Sequence, residues 1–166
     1  MRVFILGGPG SGKTTIAKKI AKLHDMEFFE LDKIFYEREK RGYKVSEEAD
    51  RAEIIKEFIQ KDNWISEGVY RQKWMDDILK KCDFVFLLKI PKYVRAWRIT
   101  TRTLRQMFGF TGYRPASIKT LFNFYKFNNL FEKERYQEIS ERLKRLKIKP
   151  IEVKSLEDIE SVLNSR

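Results

Sequence analysis

The stretch GGPGSGKT, residues 7–14, satisfies the pattern G-x-x-x-x-G-K-[ST], with Gly7, Gly12, Lys13 and Thr14 in the fixed places. Glycines at this spacing let a backbone turn where a Cβ would block it, and they aim several N–H groups at one anion. A helix that starts directly behind such a loop adds its positive end. Gly8, Pro9, Gly10, Ser11, Gly12, Lys13, Thr14 and Thr15 therefore read as a cradle for the phosphates of a nucleotide. Lys13 would reach the β- and γ-phosphates, and the Thr14 hydroxyl would sit on Mg²⁺. ATP or GTP with Mg²⁺ follows, and the choice between them does not.

Two other stretches suit the same chemistry. In SEGVYR, 66–71, Glu67 ends a predicted strand beside Gly68, and Arg71 comes a turn later. Ligands of an open parallel sheet bind outside the carboxyl ends of its strands. A carboxylate there can order a magnesium-bound water; in a plain turn it would be a solvated acid. In IPKYVRAWRITTR, 90–102, Arg98 and Arg102 are four apart on one helical face, with Lys92, Arg95 and Arg105 nearby. MFGFTGYRP, 107–115, follows with two glycines and Arg114. Phosphoryl transfer spreads negative charge in its transition state, and arginines set charge and forked donors against it. A loop that closes excludes competing water. The plainer reading of the same arginines is a solvated basic face, or one that touches nucleic acid.

The elements that must position these residues follow from periodicity. Apolar runs predict strands at 3–6, 27–31, 64–66, 83–90 and 150–153. Helical spacing appears at 14–23, from Ser46 onward, at 75–81, after Pro91, and in a closing helix lined by Leu156, Ile159, Val162 and Leu163. A long helical region at 116–147 reads as two pieces meeting near Asn128 and Asn129, and 37–44 reads as a polar, exposed connection. Alternating strands and helices predict an α/β fold with a five-stranded, mostly parallel sheet flanked by helices. Residues 1–166 read as a single domain with a lid-like insertion at about 103–115.

The bulk numbers narrow the class. The chain has 166 residues, of which 42% are hydrophobic, enough for a real core. Its net charge of +11 attracts polyanions, whether nucleotides or nucleic acids. Cys82 is the only cysteine and His24 the only histidine, which excludes internal disulfides and cysteine-built zinc clusters. Apolar runs fall far short of the ~20 residues of a membrane span. The N-terminus runs straight from strand to glycine loop without a cleavage site, and the expectation is a cytoplasmic protein with no membrane partner. Trp64, Trp74 and Trp97 are expected in the core, as are Phe122, Phe124, Tyr125, Phe127 and Phe131. Next to Lys119 and Lys126 that aromatic run would alternatively stack bases of single-stranded nucleic acid. Phe35, Tyr36 and Tyr70, just beyond strand ends, are candidate platforms for an acceptor.

On GGPGSGKT, EGVYR and the arginine helix, the chain resembles the adenylate-kinase-like group of P-loop kinases. LDKIF, WISEGVYR and the arginine helix are more closely similar to the DNA-topology-modulation proteins of that group. The resemblance implies a P-loop NTPase fold with a short lid and Mg²⁺ with ATP as cofactor. It assigns Lys13 and the loop to the donor phosphates, Thr14 and Glu67 to the metal, and Arg71 to the acceptor's phosphate. Arg98 would lie against the donor nucleoside, Arg102 on the γ-phosphate, and Lys154, with Ser155, beside the donor base. Small-metabolite kinases of this fold often place an aspartate at the end of the second strand, so Asp32 becomes a candidate base for an alcohol acceptor. Glu67 departs from the aspartate of adenylate kinases, and Tyr70 from their proline. The leading expectation is transfer of the γ-phosphoryl group of ATP to a small acceptor, most simply a nucleoside monophosphate. The alternatives are an uncharged alcohol acceptor served by Asp32, and a nucleic-acid-binding protein regulated by nucleotide.

Overall fold

The computed structural model describes residues 1–31, 36–39, 42–45, 48–69, 71–108 and 118–165. Five parallel strands form the sheet: β1 (Arg2–Gly7), β2 (Glu27–Glu30), β5 (Trp64–Glu67), β6 (Phe84–Leu88) and β7 (Ile151–Val153), in the order β2-β5-β1-β6-β7. The α/β fold and five-stranded parallel sheet expected from the sequence are therefore observed. β1 is central, with Val3 paired to Ile65 on one side and to Phe84 on the other. All five residues of β6 are buried, as a strand covered on both faces requires.

Alternation along β1 feeds two cores. Phe4 and Leu6 point into one, with Trp64, Met75, Ile78, Val85, Phe131 and Leu143. Val3 and Ile5 point into the other, with Ala17, Ile20, Phe86, Ile159 and Leu163. The first core is covered by α2 (Glu48–Phe58), α3 (Trp74–Lys81) and α6 (Tyr136–Arg145). The second is covered by α1 (Lys13–Leu23) and α7 (Leu156–Asn164). The chain goes from β1 out to β2, returns to β5 beside β1, and then crosses to β6 on the other side. The strand order thus reverses at β1, where such sheets open a crevice at their carboxyl ends.

Several local expectations change. Residues 37–39 and 42–44 belong to an antiparallel pair of β3 (Tyr36–Glu39) and β4 (Gly42–Val45), with Arg38 opposite Tyr43. Backbone pairing of two polar strands needs no apolar run, so periodicity does not reveal it. Helix α4 (Lys92–Met107) takes up residues 103–107 of the lid segment, and Thr103 is fully buried with its hydroxyl on the Ile99 carbonyl. Residues 109–117, Arg114 among them, lie outside the described residues, as does the Ser46 cap. The long helical region joins not at Asn128 but in a π-helical turn, Phe131–Arg135, between α5 (Ile118–Leu130) and α6. Asn128 is buried, with its amide 3.4 Å from the Lys92 carbonyl. Trp64 and Phe131 are core residues, but Trp97 is 69% exposed and Phe122 68%. Among the described residues no helix is long and apolar enough to cross a membrane.

Candidate active site

The glycine loop leaves the carboxyl end of β1 and runs into α1. Gly10 at φ +72 and Gly12 at φ +95 take left-handed conformations that L side chains rarely adopt. Gly12 is the N-cap of α1, and the turn closes with Ser11 N–H donating to the Gly8 carbonyl at 3.2 Å. Lys13 folds back along the loop, its Nζ donating to the Gly8 carbonyl at 3.2 Å and lying 3.9 Å from Glu67 Oε2. The Thr14 hydroxyl donates to Glu67 Oε1 at 2.7 Å.

Glu67 is 6% exposed, which sets aside the solvated-acid reading. It ends β5 in register with Ile5 of β1, so strand pairing itself carries the carboxylate to the loop. A hydroxyl and a carboxylate side by side are the hard oxygen donors that Mg²⁺ takes. No cluster of three His, Cys, Asp or Glu exists among the described residues. This set therefore suits a Mg²⁺ held by one hydroxyl and one carboxylate, with phosphates and waters completing the shell. When bound, the ion would neutralise charge developing on the phosphates.

The arginine helix lies against the loop. Arg98 Nη1 donates to the Ser11 carbonyl at 2.8 Å, so Arg98 reaches the glycine loop. Arg102 sits over the Phe124 ring, 5.2 Å from its centroid. Lys154 lies at the carboxyl end of β7, two strands from the loop, and its N–H is held by Asp158 at 2.8 Å. Asp32, Phe35 and Tyr70 lie outside the described residues.

A cavity of about 510 Å³ opens between α3 and α6. Leu6, Val69, Met75 and Ile139 give it an apolar wall, and Arg71 and Glu138 stand among its polar groups. Arg71 Nε donates to Glu138 Oε2 at 3.0 Å, and its Nη2 donates to the other carboxylate oxygen. Arg142 donates to the Arg71 and Gln72 carbonyls and pairs with Asp76 at 3.1 Å, which ties α6 to this segment. Glu67, bonded to Thr14, is thus only two and four residues in sequence from Val69 and Arg71 on the cavity wall.

One group at this site escapes a reading of the sequence, Glu132, and a second, Arg95, is read there only as a nearby charge. Arg95 is 3% exposed, and a Cβ on Gly8 would come within 2.1 Å of its Nη1. Its Nη2 donates to Glu132, and its guanidinium lies over the Phe131 ring, 5.4 Å from the centroid. Arg95 carries a faint signal, three residues before Arg98 on the same helix. Glu132 carries none, because only the fold brings 95 and 132 together.

With the site in view, the comparisons with known proteins decide the family. The AAA-domain family model matches residues 6–107, the span from the glycine loop to the end of α4. The chain belongs to the AAA-domain family. This AAA-domain chain is 32% identical over 112 residues to a bifunctional shikimate kinase/3-dehydroquinate synthase of Thermotoga maritima. That alignment covers 61% of this chain and 23% of the relative, so the chain spans less than a quarter of its length. Among solved structures, a shikimate kinase from Acinetobacter baumannii in complex with shikimate aligns with a TM-score of 0.59 at 18% identity, over 99% of this chain and 94% of that one. A shikimate kinase from Aquifex aeolicus gives 0.53 at 18%, over 99% and 95%. A gluconokinase from Sinorhizobium meliloti gives 0.51 at 16%, over 95% and 86%. At identities this low the likeness shows a shared fold, that of these P-loop kinases.

Proposed function

We propose that the chain is an ATP-dependent P-loop kinase that phosphorylates a small alcohol acceptor carrying an anionic group. The observation that carries this reading is the segment 67–71. Glu67, bonded to Thr14 at the glycine loop, and Arg71, on the wall of a cavity of about 510 Å³, stand four residues apart in it. Hydrolysis alone needs no such second compartment, whereas transfer needs an acceptor held beside the γ-phosphate. Lys13 would hold the donor phosphates, and Thr14 and Glu67 the Mg²⁺. Arg98 would act from the far side of the loop, and Arg71 would take the acceptor's anion in place of Glu138. Asp32, two residues beyond β2, is the proposed base for the acceptor hydroxyl. The names of the relatives, shikimate kinases and a gluconokinase, favour a hydroxylated acid over the nucleoside monophosphate expected first.

The test is ATP turnover with Mg²⁺ across a panel of shikimate, gluconate, nucleoside monophosphates and uncharged nucleosides, with Lys13→Ala as control. Stimulation by a hydroxy acid or a monophosphate supports the reading and selects the class. ATP turnover that no acceptor stimulates removes it.

A second reading has one observation in its favour. Tyr93 and Trp97 of α4, and Phe108 at its C-cap, are exposed, on a chain of net charge +11. Bases of single-stranded nucleic acid stack on such a surface. Its signature is oligonucleotide binding that weakens steeply with salt and on Trp97→Ala.

A further inference from the structure

We infer that Arg95 and Glu132 act as an opposed pair of charges that sets the affinity of the phosphate loop. Arg95 is the positioning residue that supports the loop from behind, and Glu132 partly cancels its charge. The inference rests on the proposed binding of nucleotide phosphates by residues 7–14.

Arg95 meets the loop at two successive glycines. Its side chain lies where a Gly8 Cβ would stand, at 2.1 Å from Nη1. Its backbone carbonyl lies 2.7 Å from where a Gly10 Cβ would stand. The loop is thus seated on one turn of α4, and Gly8 and Gly10 are the residues that permit so close a contact. A guanidinium 3% exposed has lost most of its hydration and is screened little by salt, so its field reaches phosphates bound on the far side of the loop. Glu132 is the counter-charge, bonded to Nη2, with a side chain 43% exposed.

The π-helical turn explains how Glu132 comes to be there. Phe131 and Glu132 open that turn, and both touch Arg95, one through its ring and the other through its carboxylate. Past the turn, Glu138 and Arg142 of α6 face Arg71 and the cavity instead. Such single π turns in α-helices recur at functional sites. A second cavity, of about 370 Å³, borders the pair and is lined by Gly7, Lys92, Arg95 and Glu132, so solvent reaches the carboxylate.

A merely structural ion pair and an electrostatic one predict different outcomes. Calorimetric titration with Mg²⁺ and a non-hydrolysable ATP analogue separates them. If the charges set affinity, Glu132→Gln tightens binding on the order of fivefold, because the field of Arg95 is no longer offset. Arg95→Met then weakens binding by at least as much, and Arg95→Lys, which keeps charge but not the fork, falls between. Opposite shifts for Glu132→Gln and Arg95→Met are the expected result. Shifts of the same sign, or unchanged affinity in Glu132→Gln, overturn the inference. Should Arg95→Met fail to fold, Glu132→Gln against Arg95→Lys decides alone. If the unaltered chain binds no nucleotide, the reading of the loop itself fails; if it binds and loses binding on Lys13→Ala, only the role of the pair is at stake.

Discussion

Thr14 and Glu67 are 53 residues apart in sequence, yet the threonine hydroxyl donates to the glutamate carboxylate at 2.7 Å. The contact is created by the β1–β5 pairing, which puts Glu67 across from Ile5 just ahead of the loop. Glu67→Gln keeps the shape and removes the charge that would hold Mg²⁺ and its waters. Metal affinity or turnover is expected to fall by about 10- to 100-fold. A Mg²⁺ titration of turnover checks this, and a variant with an unchanged Mg²⁺ requirement removes Glu67 from the metal site.

Gly10 and Gly12 both have positive φ, but their surroundings differ. A Cβ on Gly10 would meet the Arg95 carbonyl at 2.7 Å and Ile99 Cγ1 at 2.9 Å, and the backbone atom cannot give way. A Cβ on Gly12 would meet only Arg98 Nη1, at an ordinary 3.4 Å. Gly12→Ala should therefore cost about 1–2 kcal/mol, the conformational term alone. Gly10→Ala should cost more and displace the loop from α4. Thermal denaturation of the two variants should rank them in that order, with nucleotide affinity lost further in Gly10→Ala.

Helix α7 begins in a reciprocal cap: Ser155 Oγ accepts from the Asp158 N–H at 3.2 Å, and Asp158 Oδ2 accepts from the Ser155 N–H at 3.2 Å. The Lys154 N–H donates to the same carboxylate and is the largest reason its pKa lies below the usual aspartate range. A carboxyl lowered on folding adds stability above its unfolded pKa and loses it as pH falls through the folded one. Stability should therefore drop on acidification below about pH 4, less steeply in Asp158→Asn. Ser155→Ala should cost about 1 kcal/mol at neutral pH. Urea denaturation at pH 7 and pH 3 measures both.

Much of this site is legible in the sequence because it depends on short-range spacing. The loop, its helix and the strand before it lie within residues 2–23, and Glu67 is marked by standing at a strand end. The α/β order follows from alternating periods, and β6 from its unbroken apolar run. What periodicity misses is made by contacts between distant residues. The pairing of β3 with β4 joins polar strands, so no burial pattern announces it. The π-helical turn is set by what Phe131 and Glu132 must reach, not by a breaker such as Asn128. Trp97 sits on the outer face of α4 because Arg95, Ile99 and Thr103 take the inner one, a reversal that hydrophobicity alone does not forecast.

Arg71 is held by Glu138 through both of its forked donors, so the group proposed to bind the acceptor's anion already carries a carboxylate. The two side chains are 58% and 42% exposed, and a pair this open is worth at most about 1 kcal/mol. An acceptor's carboxylate or phosphate can displace Glu138 at that cost, which amounts to about fivefold in affinity. Glu138→Gln should lower KM for an anionic acceptor by up to about that factor, with kcat unchanged, because the ground state and the transition state gain the same binding. Arg71→Ala should raise the same KM by about tenfold or more, since a charge-assisted fork is lost outright. Neither change should matter for an uncharged alcohol of similar shape. Steady-state kinetics of both variants on a matched pair of charged and uncharged acceptors decides it, and equal effects on the two acceptors would take the anion away from Arg71.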